Sequence, residues 1–376
     1  MNNTDFKEVL HCLALQQIPG IGIMSARLLY DVFNSATAVF ERREDLVHYT
    51  HPAQRKMIKL LDCPDAFRRA EREMTFAEKS GIQCIAISDK RYPSRLRECP
   101  DAPLVLFYKG NADLNALRVV SMVGTRNATD YGRQLCNEFI ADLYKICPEV
   151  LIVSGLAYGI DIASHRASLA QGISTVGVLA HGLDRIYPAV HRKTAVEMLE
   201  QGGLLTEYMS GTNPDRQNFV QRNRIVAGMC DATIVVESAV KGGALITAGL
   251  ANDYHRDCFA FPGRVGDNRS IGCNALIRDN KAALILSAED FVKAMCWTPA
   301  ITERTVPTAV QRELFLDLSP EEEAIVAVLG RHSDGVQINT LVVEADIPIN
   351  RATSLLFELE MKGVVRALAG GLYKII

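Results

Sequence analysis

From residue 82 to residue 296 the sequence alternates short β-branched runs with helical stretches, and each run ends in glycine or a polar turn before the next helix begins. No other feature restricts the possible folds so strongly, because strands separated by helices pair in parallel through crossover connections. The strands expected are 84–87, 104–108, 119–123, 151–154, 175–179, 204–206, 233–236, 258–261 and 283–286. The fold class that follows is α/β, a doubly wound and mainly parallel sheet. In that architecture ligands bind at the carboxyl ends of strands, near the point where strand order reverses.

The flanks read differently. Helices are expected at 6–17, 24–33, 36–42 and 63–80, where apolar positions recur three and four apart, so residues 1–81 form a small all-helical unit. Within it, Ile18-Pro19-Gly20-Ile21-Gly22 resembles a helix-hairpin-helix turn, in which glycines let backbone amides approach a phosphate. Tight helical turns also close this way without a ligand. Residues 297–318, with Pro299 and Pro307 and no sustained period, read as a linker. The last unit, 319–376, reads helix, helix, helix, wing. Ser319 precedes the first helix, 338–345 is the second, Asn350 caps a third running to Lys362, and Gly370-Gly371 turns the closing hairpin. This unit holds five Lys or Arg against eight Asp or Glu, which opposes a phosphate backbone.

With a net charge of -3 and a pI near 6.3, the chain is not coated in positive charge, so any nucleic-acid site has to be local. No run of about 18 apolar residues occurs, and Asp5 and Glu8 stand where a signal peptide would carry basic residues. A cytoplasmic protein with no membrane partner is expected. None of the ten cysteines pairs at two-residue spacing, which leaves reduced, mostly buried thiols and no zinc ribbon.

Chemistry gathers at the strand ends. One strand runs into Gly124-Thr125-Arg126-Asn127, the next into Ser154-Gly155-Leu156-Ala157-Tyr158-Gly159-Ile160-Asp161, and a later one into Phe261-Pro262-Gly263. Glycine lets a backbone come within hydrogen-bonding range of a ligand, and amides opening the following helix favour an anion. Arg222, Asn223 and Arg224 fall within one turn of a helix expected to start near Phe219, and the two arginines project from different sides. One is available for a phosphate and the other for a carboxylate such as Glu207 or Glu237. Lys241-Gly242-Gly243 opens a further helix at the same edge. Neither G-x-G-x-x-G nor the P-loop pattern follows any strand, so no nucleotide cofactor is expected. His165, four residues after Asp161, has no nucleophile or metal cluster near it in sequence and reads as a packed histidine.

Several longer motifs repeat this pattern: Val123-Gly124-Thr125-Arg126, Ser154 through Asp161 to His165, Gly182-Leu183-Asp184 with Tyr187-Pro188, Arg222-Asn223-Arg224, Leu245-Ile246-Thr247-Ala248, and Pro262-Gly263 to Gly272-Cys273-Asn274. Together they resemble the DNA processing protein A family, also called Smf or DprA, of bacterial natural transformation. The resemblance covers nearly the whole chain. It implies a sterile-alpha-motif-like helical unit (1–81), an extended Rossmann-like domain (82–296), a linker (297–318) and a winged-helix domain (319–376). It also implies a non-enzymatic protein that dimerises through the Rossmann-like domain, binds and protects incoming single-stranded DNA, and helps load the recombinase RecA. Carried onto this chain, Arg126 would hold a phosphate; Gly124, Thr125, Ser154, Gly155, Tyr158, Gly159 and Asp161 would line the pocket; and Arg222, Asn223, Arg224 and Lys241 would supply charge and hydrogen bonds, with Gly242, Gly243, Gly263 and Asn274 completing the set. The chain departs from the family in Thr125, Ala180-His181 and Gly243-Ala244, the last removing a hydroxyl that would reach the DNA. Tyr158, Tyr187 and Phe219 are the rings available to stack on a base.

The rival from another class is a nucleotide phosphoribohydrolase, which shares this kind of sheet and a P-G-G-x-G-T-x-x-E loop. The nearest segment, Lys241 to Gly249, has neither the leading proline nor the catalytic glutamate.

Overall fold

The nine strands β1 (Gln83–Ala86), β2 (Val105–Gly110), β3 (Val119–Val123), β4 (Leu151–Ser154), β5 (Thr175–Val178), β6 (Gly202–Thr206), β7 (Ala232–Val235), β8 (Asp257–Ala260) and β9 (Ala283–Leu284) build one sheet in the order β1-β2-β6-β5-β4-β3-β7-β8-β9. β2 runs antiparallel to both its neighbours, β1 and β6. All other pairings are parallel. Every residue of β3, β4, β5 and β7 is buried, as their continuous apolar runs require in a sheet covered on both faces. This computed structural model describes residues 3–49, 55–297, 318–332, 335–368 and 372–375. Gly370-Gly371 and all but the ends of the 297–318 linker lie outside them.

From β3 the chain winds through β4 to β5 in one direction, then returns to lay β7 on the other side of β3, with Val123 opposite Val235. Loops leaving β3 and β7 therefore diverge and open a crevice at the carboxyl edge. Helices Asp130–Ile146, Ile160–Gln171 and Ala288–Ala294 cover one face, where Phe139, Leu143 and Phe291 pack on Val120, Met122 and Ile234. Helices Arg216–Gly228, Gly243–Asp253 and Ile271–Arg278 cover the other, where Ile225, Ala248 and Cys273 pack near Val119, Val123 and Val235. Leu13 and Leu15 of helix Asn3–Gln17 and Ala70 of helix Pro64–Ser80 belong to that same core, together with Ile85 and Phe107. The core thus runs without a break past residue 81.

The chain divides into two compact units, Met1–Ala300 and Ile301–Ile376. In the second, helices Pro320–Gly330, Ile338–Ala345 and Ile349–Met361 accompany a three-stranded antiparallel sheet of β10 (Val336–Gln337), β11 (Val365–Leu368) and β12 (Leu372–Ile375). Ser319 and Glu322 cap its first helix reciprocally. The third helix starts behind Pro348, and Asn350 sits inside its first turn instead of capping it. Proline suits that boundary because it lacks the N–H that a helix start leaves unpaired. β10 is only two residues long, too short to show a period in sequence.

Candidate nucleic-acid interface

The crevice at the β3/β7 divergence is a cavity of about 800 Å³. Its lining brings together Gly124, Thr125 and Arg126 after β3, Gly155 and Asp161 after β4, and Lys241, Gly242 and Gly243 after β7. A fourth wall is the helix Arg216–Gly228, which contributes Arg216, Phe219, Val220, Arg222 and Asn223. That helix begins three residues before the expected start, because the Asp215 carboxylate accepts from the Asn218 amide at 2.9 Å and caps it.

Backbone contacts between loops fix the rim. The Thr125 N–H donates to the Glu237 carbonyl at 2.8 Å, and the Ile160 N–H to the Thr125 carbonyl at 3.2 Å. The Glu237 carboxylate accepts from the Thr129 amide at 2.9 Å and from the Thr129 hydroxyl. Gly159 has φ +78°, and a side chain there would run into the Thr125 carbonyl, so only glycine lets the β3 and β4 loops touch. Gly155 is glycine for a different reason: a Cβ at this position would overlap the Arg222 guanidinium and the Asp161 carboxylate.

Those two charges form the floor. Burial pushes the Asp161 carboxyl up from its ordinary range, against the pull of Arg222. Burial likewise pushes Arg222 down, with Asp161 opposing. Arg222 donates to the Val178 carbonyl, while its Nε–H is buried without an acceptor among the described residues. His165 is fully buried below, bonded to the Thr175 hydroxyl at 2.7 Å and to the Gly155 carbonyl, so it does not pair with Asp161. Burial lowers its pKa to about 4 and keeps the ring neutral.

The rim is unlike the floor. Arg126 and Lys241 are exposed, and neither they nor Arg216 enter an ion pair among the described residues. The Arg126 guanidinium lies over the Phe219 ring, 4.9 Å from its centroid. Gly242 is extended and no side chain caps the helix Gly243–Asp253 behind it, so a helix amino terminus opens on the cavity wall.

Six residues expected at the site do not line this cavity. Arg224 is buried in an ion pair with Glu207 and donates to the Asp101 carbonyl at 2.7 Å, facing away from Arg222. Ser154 is buried and donates to the Met122 carbonyl. Asn274 accepts from the Gly263 amide at 3.1 Å and donates to the Gly263 carbonyl at 3.0 Å, so those two residues brace a loop. Gly159 joins the loops as described, and Tyr158 stands outside with its edge against His191, 5.0 Å between centroids. The helix-hairpin-helix-like turn lies between helices Asn3–Gln17 and Ile23–Phe33, with Gly20 at φ +88°.

Residues 83–296 match the family model of DNA recombination-mediator protein A, and residues 313–371 match that of the DprA winged helix domain. The chain belongs to the DNA recombination-mediator protein A family. It is 40% identical over 205 residues to DNA processing protein DprA of Streptococcus pneumoniae, covering 54% of this chain and 71% of that protein. The X-ray structure of the pneumococcal DprA superposes with a TM-score of 0.59 at 34% identity, over 75% of this chain and 95% of that one. A Helicobacter pylori DNA processing protein A, solved for its single-stranded DNA binding mode, superposes with a TM-score of 0.52 at 28% identity, over 57% of this chain and 95% of that one.

Sequence reasoning missed one cation lining the cavity and one beside it in this member of the recombination-mediator family. Arg216 was hidden by placing the helix start too late, although 216, 219, 220 and 223 have the spacing of one helical face. Arg269 approaches the Thr125 hydroxyl at 3.5 Å from a loop 144 residues away, and no local pattern announces it. Among the described residues no three His, Cys, Asp or Glu side chains converge, and no helix is long and apolar enough to cross a membrane.

Proposed function

We propose that the cavity at the carboxyl edge of the sheet binds the backbone of single-stranded DNA in the cytoplasm, without covalent chemistry. One observation carries this reading: Arg126, Arg216 and Lys241 stand unpaired around a cavity whose buried charges, Asp161 and Arg222, already oppose each other. An anion entering there meets free guanidinium and ammonium groups together with a helix amino terminus. Family membership supports the reading, as does the single-stranded DNA bound by the Helicobacter relative. On the same footing we assign the chain a part in natural transformation, in which it protects the incoming strand, acts as a homodimer through its sheet-bearing unit and passes the strand to RecA. The family's description as a recombination mediator supports that handover.

Binding to oligothymidylate and to duplex, measured across a salt series beside a nucleoside-monophosphate hydrolysis assay, tests the reading. Each phosphate neutralised on a single strand contributes about -0.7 to the slope of log affinity against log salt, so Arg126→Ala should flatten the slope by about that amount. Because the contact is to the backbone, the loss should be alike on thymidylate and mixed sequence. Hydrolysis without binding would overturn the reading in favour of a phosphoribohydrolase. An unchanged affinity and slope would remove Arg126 from the site.

A further inference from the structure

Beyond the phosphate-binding rim, the ring of Tyr187 continues the ladder that starts at Arg126. The Arg126 guanidinium covers the Phe219 ring at 4.9 Å, and the Tyr187 ring follows at 5.9 Å from Phe219, tilted by 52°. Phe219 is half-buried with one face occupied by the arginine, whereas Tyr187 is 46% exposed. Phe219 is thus a positioning residue for Arg126, and Tyr187 is the free end of the ladder. Tyr158 is as exposed but is edged against His191 and has no contact with this ladder among the described residues.

The loop that carries Tyr187 is held from two sides. Gly211 donates to Asp184 at 3.2 Å, and Arg185 donates to Asn213 at 2.9 Å, which ties the loop to the segment leading into helix Arg216–Gly228. Pro188 beside the tyrosine is buried, and the ring of buried His181 bonds the Gly182 carbonyl at 2.8 Å. A ring presented on a braced loop loses little freedom when it is covered.

We propose that Tyr187 is a base-stacking subsite that takes the unpaired base neighbouring the phosphate on Arg126, and that it is a determinant of preference for single strands over duplex. The inference rests on the function proposed above. Its physical basis is that every base offers a π-face, so stacking tolerates any sequence, whereas in a duplex both faces of each internal base are already covered by neighbours. The rim cations alone read charge, which single strands and duplexes share.

The test uses the full chain and three probes at fixed salt: oligothymidylate, a strand of equal length made of abasic sugar-phosphate, and duplex. Stacking on an aromatic ring is worth about five- to a hundredfold in affinity per base. Tyr187→Ala should therefore weaken oligothymidylate binding at least about fivefold, leave the abasic strand and the salt slope unchanged, and narrow the gap between single strand and duplex. Tyr187→Phe should keep the wild-type preference, since the ring and not the hydroxyl stacks. Equal losses on thymidylate and abasic strands, or no loss on either, would overturn the proposal while leaving the phosphate site standing. A wild-type chain that fails to bind oligothymidylate would end both readings together.

Discussion

The cavity rim and the winged unit both present basic side chains, yet they set them in different surroundings. At the rim, Arg126, Arg216 and Lys241 have no carboxylate partner among the described residues and surround a concave surface built from backbone. In the winged unit two of the five cations are paired, Arg351 with Glu321 at 2.8 Å and Lys362 with Glu322 at 2.7 Å. Arg331, Arg366 and Lys374 enter no ion pair among the described residues and share their unit with eight acidic residues. Its third helix shows solvent Phe357, 64% exposed, and Met361, 75% exposed, beside Glu358 and Glu360. That surface joins apolar side chains to negative charge, and the charge opposes a phosphate backbone. The difference teaches that a count of charges does not locate a nucleic-acid site in a chain of net charge -3. What sets the rim apart is that its unpaired cations converge on one concave surface.

The same contrast exists inside one helix turn, and breaking it gives the largest expected effect. Arg224 and Glu207 form a buried pair, so Arg224→Ala should destabilise the first unit by about 3–5 kcal/mol, leaving a buried carboxylate uncompensated. Arg126→Ala, at an exposed position, should shift stability by no more than about 0.5 kcal/mol while it changes binding. Paired thermal melts and binding curves read both. A stable Arg224→Ala chain that has lost DNA binding would return Arg224 to the site.

Acid provides a second, smaller lever. His165 ordinarily titrates near 6.5 and falls to about 4 in the folded chain because of burial. His181 and His191 are lowered by burial as well. For a group whose folded pKa is depressed, the unfolded chain takes up the proton first. Stability is therefore full above pH 6.5 and is lost as the pH falls from 6.5 towards 4, at up to about 1.4 kcal/mol per pH unit for His165. Denaturant melts between pH 7 and pH 4.5 should show the first unit weakening over that window, with a shallower slope for His165→Gln. A flat stability profile across the window would show that these rings are protonated in the folded state.

The smallest effect sharpens the comparison directly. A chain ending at residue 297 should bind oligothymidylate within about twofold of the full chain and with the same salt slope, because the acidic winged unit adds no counterion release. A slope that becomes markedly shallower on truncation would place phosphate contacts in the winged unit.

Much of this was legible beforehand. Short apolar runs such as Val119–Val123 and Ala232–Val235 can only be buried parallel strands when helices separate them, and the glycines that end them had to lie at one edge. Arg126, Lys241 and the loop glycines follow from chain position alone, since a residue just past a strand's carboxyl end is at that edge whatever else packs there. Tertiary structure decided the rest. Arg222 and Arg224 are two residues apart, so the helix turns them to opposite sides, but which side met the cavity depended on how that helix seated on the sheet. Ser154, Gly263 and Asn274 stand at equally promising positions, yet their polar groups are consumed by Met122 and by each other. Glu207 was one of the two carboxylates the sequence offered to Arg222 and Arg224, and folding decided that Arg224 takes it. Thr125 lies 144 residues from Arg269, and a pattern read over a few residues carries no record of a contact made at that range.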